Sequence, residues 1–255
     1  MTFPCRSSPA ALPASLSSQL WRGDEFAMGM ESVSTGTPLD AQLPDAGWPL
    51  DGMVEILSAE PGRHVWQLLA PALAKAAGDK KGPVVLVGAP HEPFGPGLAA
   101  RGLPAERLLC IRADKPAARL WSTEQALRCA DVAAVLAWIP QARNPELRRL
   151  HMAAQQHPKL FFAFRGLDAR SGASPARLRM VLTGIDEMQV QVIKRRGPPM
   201  DTALVLAARG ARLAELLQAR RKRAQVSGPI PSTTAIPMAD ATEGIHALDR
   251  TSAAA

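Results

Sequence analysis

The residues best placed to do chemistry lie between a strand-like run, Met53–Leu57, and a helix-like run that begins at Val65. A strand, a tight loop and a helix form the frame of a phosphate-binding loop, and that chemistry needs G-x-x-x-x-G-K-[ST]. The glycines let backbone N–H groups close on phosphate oxygens, the lysine neutralises them, and the hydroxyl holds magnesium. Here the first glycine position is Ser58, the second is Arg63, the lysine position is His64 and the hydroxyl position is Val65. Moving the register by one puts Gly62 and Arg63 in useful places. It also puts Leu57 at the first glycine and His64 at the magnesium ligand, and magnesium prefers oxygen. Pro61 removes a backbone donor, and Glu60 adds a negative charge where an anion would sit. The loop reads as an ordinary strand–helix turn, with no nucleotide cofactor and no metal expected.

Other reactive constellations fail on spacing. His151 and His157 are six residues apart and do not share a helical face. His91-Glu92 lacks the second histidine of a zinc-protease helix, and Pro93 opposes that helix. With His64 and His246, all five histidines read as core or surface residues. Asp186-Glu187 reads as a solvated turn, and no G-x-S-x-G elbow occurs. Cys5, Cys110 and Cys129 form no C-x-x-C pair, so neither a disulfide framework nor a thiolate zinc site is expected. Cys110 and Cys129 lie on apolar positions and read as inert core residues. Trp48, Trp66, Trp121 and Trp138 read as packing residues, while Trp21 stands at an edge suited to an interface. No catalytic residue is expected.

The elements that would position these residues follow one another regularly. Val65–Ala77 predicts a helix ending at Gly78, and Pro83–Val87 predicts a strand. Gly95-Pro96-Gly97 predicts a turn before a short helix to Arg101. Leu108–Ile111 is a third strand, and Pro116 opens a helix to about Ala130. Val132–Ile139 is a continuous apolar run, typical of a strand covered on both faces. Glu146–Gln156 is a helix opened by Pro145, and Leu160–Phe164 a fifth strand. Strands alternating with helices define an α/β fold with a mostly parallel sheet. Leu178–Thr183, Met188–Lys194 and Leu204–Ala207 are joined by short connections, which predicts an antiparallel extension of that sheet.

The chain has 255 residues and a formal charge of +7, and 47 % of it is hydrophobic. Aromatics make up 4 % with no tyrosine, which argues against a nucleic-acid binder that stacks bases on aromatic side chains. Composition predicts a Pro/Ser-rich tail over 1–17, a core over 18–208, a basic helix over 209–224 and a second tail over 225–255. The N-terminal residues lack the charged start and apolar block of a signal peptide, and no apolar run is long enough to span a membrane. With the cysteine usage, this predicts a cytoplasmic protein without a membrane partner.

One ordered series of motifs carries a resemblance. Ser34-Thr35-Gly36, Leu39-Asp40, Leu43-Pro44, Gly47-Trp48-Pro49 and Gly52-Met53-Val54-Glu55-Ile56 are similar to the entry of the RecA ATPase core. With Trp21-Arg22-Gly23-Asp24-Glu25 upstream, the series most resembles the ImuA group of RecA-like accessory proteins of bacterial mutagenesis cassettes. It also resembles the SulA group of cell-division inhibitors. The resemblance covers about residues 19–208 and implies a RecA-like P-loop NTPase fold whose P-loop is degenerate. RecA-type enzymes place a water-activating glutamate after the second strand, where this chain has Pro90. They place a magnesium-supporting acid at the end of the fourth, where it has Trp138. Three parts of one engine are absent together.

The resemblance therefore implies a non-catalytic adaptor in translesion DNA synthesis within the SOS response. Its partners would be an ImuB-like Y-family homologue and an error-prone polymerase III alpha subunit, with RecA and DNA as further candidates. A SulA-like cell-division inhibitor is the alternative, and a residual ATP-binding DNA-repair protein a further one.

The positive charge is concentrated. In Arg209–Arg223, five Arg and one Lys against Glu215 leave +5, and Leu213, Leu216 and Leu217 form an apolar stripe. Arg209, Arg212, Arg220, Arg221, Lys222 and Arg223 suit an arm for DNA phosphates or an acidic partner; a solvated terminal helix fits the same pattern. A second excess spans Arg165–Arg196, where Arg170 and Arg177 border a Gly/Ser/Ala/Pro-rich loop at 166–177. By resemblance this loop would approach DNA. By composition alone it is a mobile, soluble loop.

Overall fold

The computed structural model describes residues 31–80, 82–208 and the helical positions 216, 219, 220, 222 and 223. The chain divides into two units, Met1–Gly210 and Ala211–Ala255.

The first unit begins with a two-stranded antiparallel ribbon, β1 (Ser32–Val33) and β2 (Trp48–Pro49). A hydrogen-bonded turn lies between the two strands. The Asp40 carboxylate accepts from Ser34 Oγ at 2.6 Å and from the Thr35 N–H at 2.7 Å, and the Gly36 N–H donates to Ser34 Oγ. Gly36 has φ +68°, and a Cβ there would lie 2.8 Å from Pro71 Cβ, so only glycine fits. The Ser34-Thr35-Gly36 motif is thus a closed turn docked on the helix α1 (Val65–Lys80).

An eight-stranded sheet forms the centre. Its strands are β3 (Met53–Leu57), β4 (Val84–Val87), β5 (Leu108–Ile111), β6 (Ala134–Trp138), β7 (Leu160–Arg165), β8 (Leu178–Thr183), β9 (Met188–Lys194) and β10 (Leu204–Leu206). The spatial order is β10-β9-β8-β3-β7-β6-β4-β5. Helix α1 and the short α2 (Gly95–Ala99) cover one face; α3 (Pro116–Arg128) and α4 (Asn144–Gln156) cover the other. Side chains alternate accordingly. Phe162 and Leu136 join Leu68 and Leu98, while Phe161 and Val135 join Leu127 and Leu150. β3, β4 and β6 are buried along their whole length, which is why β4 and β6 read as unbroken apolar runs and β3 is apolar except for Glu55.

The structure corrects several boundaries and one pairing. Helix α1 continues through Gly78 to Lys80, and Gly95 and Gly97 lie inside α2. The antiparallel extension is present, with β8–β9 and β9–β10 antiparallel, but it joins the rest of the sheet through a parallel pair, β8 beside β3. Residues 166–177 are long enough for the crossover a parallel pair requires. They contain a 3-10 turn, Leu167–Ser171, rather than a loose loop. Cys110 and Cys129 are exposed, not core, because β5 is an edge strand and Cys129 follows the last turn of α3. Trp121 is also exposed, whereas Trp48 and Trp138 are buried. Among the described residues no helix is long and apolar enough to cross a membrane.

Candidate functional site: the loop after the third strand and its surroundings

The loop of residues 58–64 leaves the carboxyl end of β3, a strand near the middle of the sheet. Its backbone is already engaged. The Glu60 N–H donates to Ser58 Oγ, whose hydroxyl in turn donates to the Glu60 carbonyl, and the Arg63 N–H donates to the same carbonyl. The Arg63 guanidinium pairs with the Glu60 carboxylate at 2.5 Å. His64 has φ +60° and is buried, and its Nε2 lies 3.0 Å from the Gly184 carbonyl in the β8–β9 turn. Val65, at the hydroxyl position, is a buried core residue.

The replacements elsewhere in the motif series fill the same region. Trp138, at the end of β6, donates from Nε1 to the Pro61 carbonyl at 2.7 Å. Its ring stacks on Phe164 at 4.5 Å with an interplanar angle of 13°. On the other side, Pro90 and His91 crowd Gly62, where an added Cβ would lie 2.9 Å from the His91 ring. The loop thus closes on side chains instead of opening on a phosphate. Among the described residues no group of three or more His, Cys, Asp or Glu is arranged to hold a metal.

Beneath this loop lies a charge cluster that the sequence pattern did not announce. Glu55 is fully buried in β3. Its carboxylate accepts from Arg165 Nη1 at 2.8 Å and from Arg179 Nε at 2.6 Å. Arg165 also donates to the Ala142 carbonyl, and Arg179 to those of Ala169 and Gly172. Two arginines of the apparent second basic zone are therefore internal, and Arg179 ties down the loop at 166–177.

The remaining candidate cations fall in different places. Arg177 pairs with Asp51 at 2.6 Å, and the exposed Arg170 lies 3.5 Å from Gln191 Oε1. Near Arg177, His151 Nδ1 accepts from the Met53 N–H, so that nitrogen is unprotonated; burial and then Arg177 hold this imidazole below its usual pKa. In the second unit Arg220, Lys222 and Arg223 occupy exposed helical positions. Arg209, Arg212 and Arg221 lie outside the described residues, as do Trp21 and both predicted tails.

The sheet order and the strand–loop–helix at its centre define the class: an α/β protein with a mostly parallel, eight-stranded mixed sheet and a small antiparallel ribbon. The chain is 30 % identical over 107 residues to the cell division inhibitor SulA of Edwardsiella piscicida, an alignment covering 42 % of this chain and 64 % of that protein. It is 34 % identical over 132 residues to protein ImuA of Caulobacter vibrioides, covering 49 % of this chain and 53 % of that one. No family model matches the chain. It spans between half and two thirds of the length of these curated relatives, and it is ImuA/SulA-like across about half of its own sequence.

Proposed function

We propose that this protein is a non-catalytic, RecA-like adaptor of a translesion DNA synthesis complex in the cytoplasm. It would act with an ImuB-like Y-family homologue and an error-prone polymerase III alpha subunit. The observation that carries the reading is the Trp138 Nε1 bond to the Pro61 carbonyl. The residue standing where an ATPase keeps an acid holds the loop closed, which favours a scaffold over an engine. The central β3, with later strands on both sides and the loop at its carboxyl end, supports the RecA-like assignment. The ImuA alignment is longer and more identical while the SulA alignment covers more of its relative, so both support an SOS-related role and the partner distinguishes the two readings.

Three experiments test it. Calorimetry with magnesium-ATP should give no binding heat, whereas heat that disappears in Arg63→Ala would establish a residual nucleotide site. Co-purification with the ImuB-like partner should succeed with the full chain. If deletion of residues 209–255 leaves the complex intact, the basic segment takes no part in it. Filamentation of cells on overexpression, with no capture of the Y-family homologue, would instead support the SulA-like reading.

A further inference from the structure

A groove of about 360 Å³ opens at the amino end of the parallel strands, away from the filled loop. Its apolar lining is Pro44, Pro49, Pro175 and Leu178, three of them conformationally restricted prolines. Its rim carries Arg177, Lys194, Arg195 and Arg196 against Asp45 and Asp51, so four cations face two carboxylates. One of those carboxylates, Asp51, is engaged by Arg177. The others' hydrogen bonds fix cations without cancelling their charge. Lys194 Nζ donates to the Ser174 carbonyl at 2.7 Å. Arg195 donates to the carbonyls of Pro198 and Gln42. Arg196 lies in the bend after β9 and is exposed.

We propose that this groove docks an acidic peptide segment of a partner protein, with one apolar side chain seated against the prolines. Charge complementarity selects the acidic flanks, and cations already held in place lose little freedom on binding. The apolar lining decides between the two anionic partners such a rim could attract. A nucleic-acid backbone presents phosphates and has no use for a proline-walled pocket, whereas a Phe or Leu side chain fills one. Asp45 and Asp51 also weaken the potential that closely spaced phosphates need. An adaptor and an inhibitor would each need such a surface.

The test uses the full chain and a labelled short peptide with one phenylalanine among aspartates, read by fluorescence anisotropy. Binding is expected. It should fall by about tenfold with Arg196→Glu, a change at an exposed site that leaves the core untouched, and weaken as salt rises. Replacing the phenylalanine with serine should cause a comparable loss. Absence of binding overturns the proposal, as does binding indifferent to Arg196→Glu or to the phenylalanine. A single-stranded oligonucleotide that displaces the peptide, and whose own binding also falls with Arg196→Glu, would reassign the groove to nucleic acid.

Discussion

At the scale of single residues, Glu55 is the one whose role departs most from its appearance. A carboxylate inside an apolar strand is costly unless it is paired, and Glu55 is paired on both oxygens. Its two arginines come from β7 and β8, the strands on either side of β3. One charge therefore joins three neighbouring strands and, through Arg179, the 169–172 turn. Removing it leaves two guanidiniums with only carbonyl partners. Glu55→Gln should lower the unfolding free energy by about 3–5 kcal/mol, read as a shift of the urea midpoint at constant slope. Amide exchange in residues 166–177 should rise in the same variant, because the turn loses its fixed anchor. A urea midpoint within error of the parent would show that the cluster contributes no net stability.

At the scale of elements, the loop after β3 is held by parts of the chain that are distant in sequence. Trp138 contributes a stack on Phe164 and a bond to Pro61, and the two can be separated. Trp138→Phe keeps a ring and should cost about 1 kcal/mol for the lost hydrogen bond. Trp138→Ala also leaves a cavity and should cost about 3–5 kcal/mol. Equal losses in thermal melts of the two variants would mean that the ring contributes nothing beyond its N–H. The missing signature residues at 58, 63, 64 and 65 were legible in the sequence because that motif is local. So were β3 to β7, whose apolar runs and Pro-started helices report themselves. What filled the vacancy was not legible, since the Trp138–Pro61 and His64–Gly184 contacts span 77 and 120 positions. The parallel placement of β8 was missed because the connection carries a 3-10 turn in place of the expected helix.

At the scale of the whole molecule, the sequence charge of +7 does not describe where positive charge is felt. Part of it lies inside the first unit, where burial acts against protonation, and this sets the pH dependence of stability. Lys159 is fully buried and donates from Nζ to the Cys129 carbonyl; burial brings its pKa down from 10.5 to about 8. Between those two values the unfolded chain binds more protons than the folded one, so stability rises with pH across that window. His151 is depressed below 6.5, so its contribution is present above 6.5 and disappears as pH falls through the folded value. Lys194 is also depressed and adds to the alkaline rise. Cys110 opposes it, because partial desolvation at the edge strand and then Glu92 raise its thiol above 9.0 and the folded state there holds the extra proton. No tyrosine titrates in this range. The melting temperature should therefore climb between about pH 8 and 9, above the pH at which most proteins are most stable. Lys159→Met should flatten that limb and raise the melting temperature at neutral pH, since Lys80 and Asp131 nearby remain to hold the surface charge. His151→Gln should flatten the acid limb alone. A parent melting temperature that falls from pH 8 to 9, or a Lys159→Met curve that keeps the rise, would mean that the ammonium is hydrated in solution and that the strand end at Lys159 opens more readily than the rest of β7.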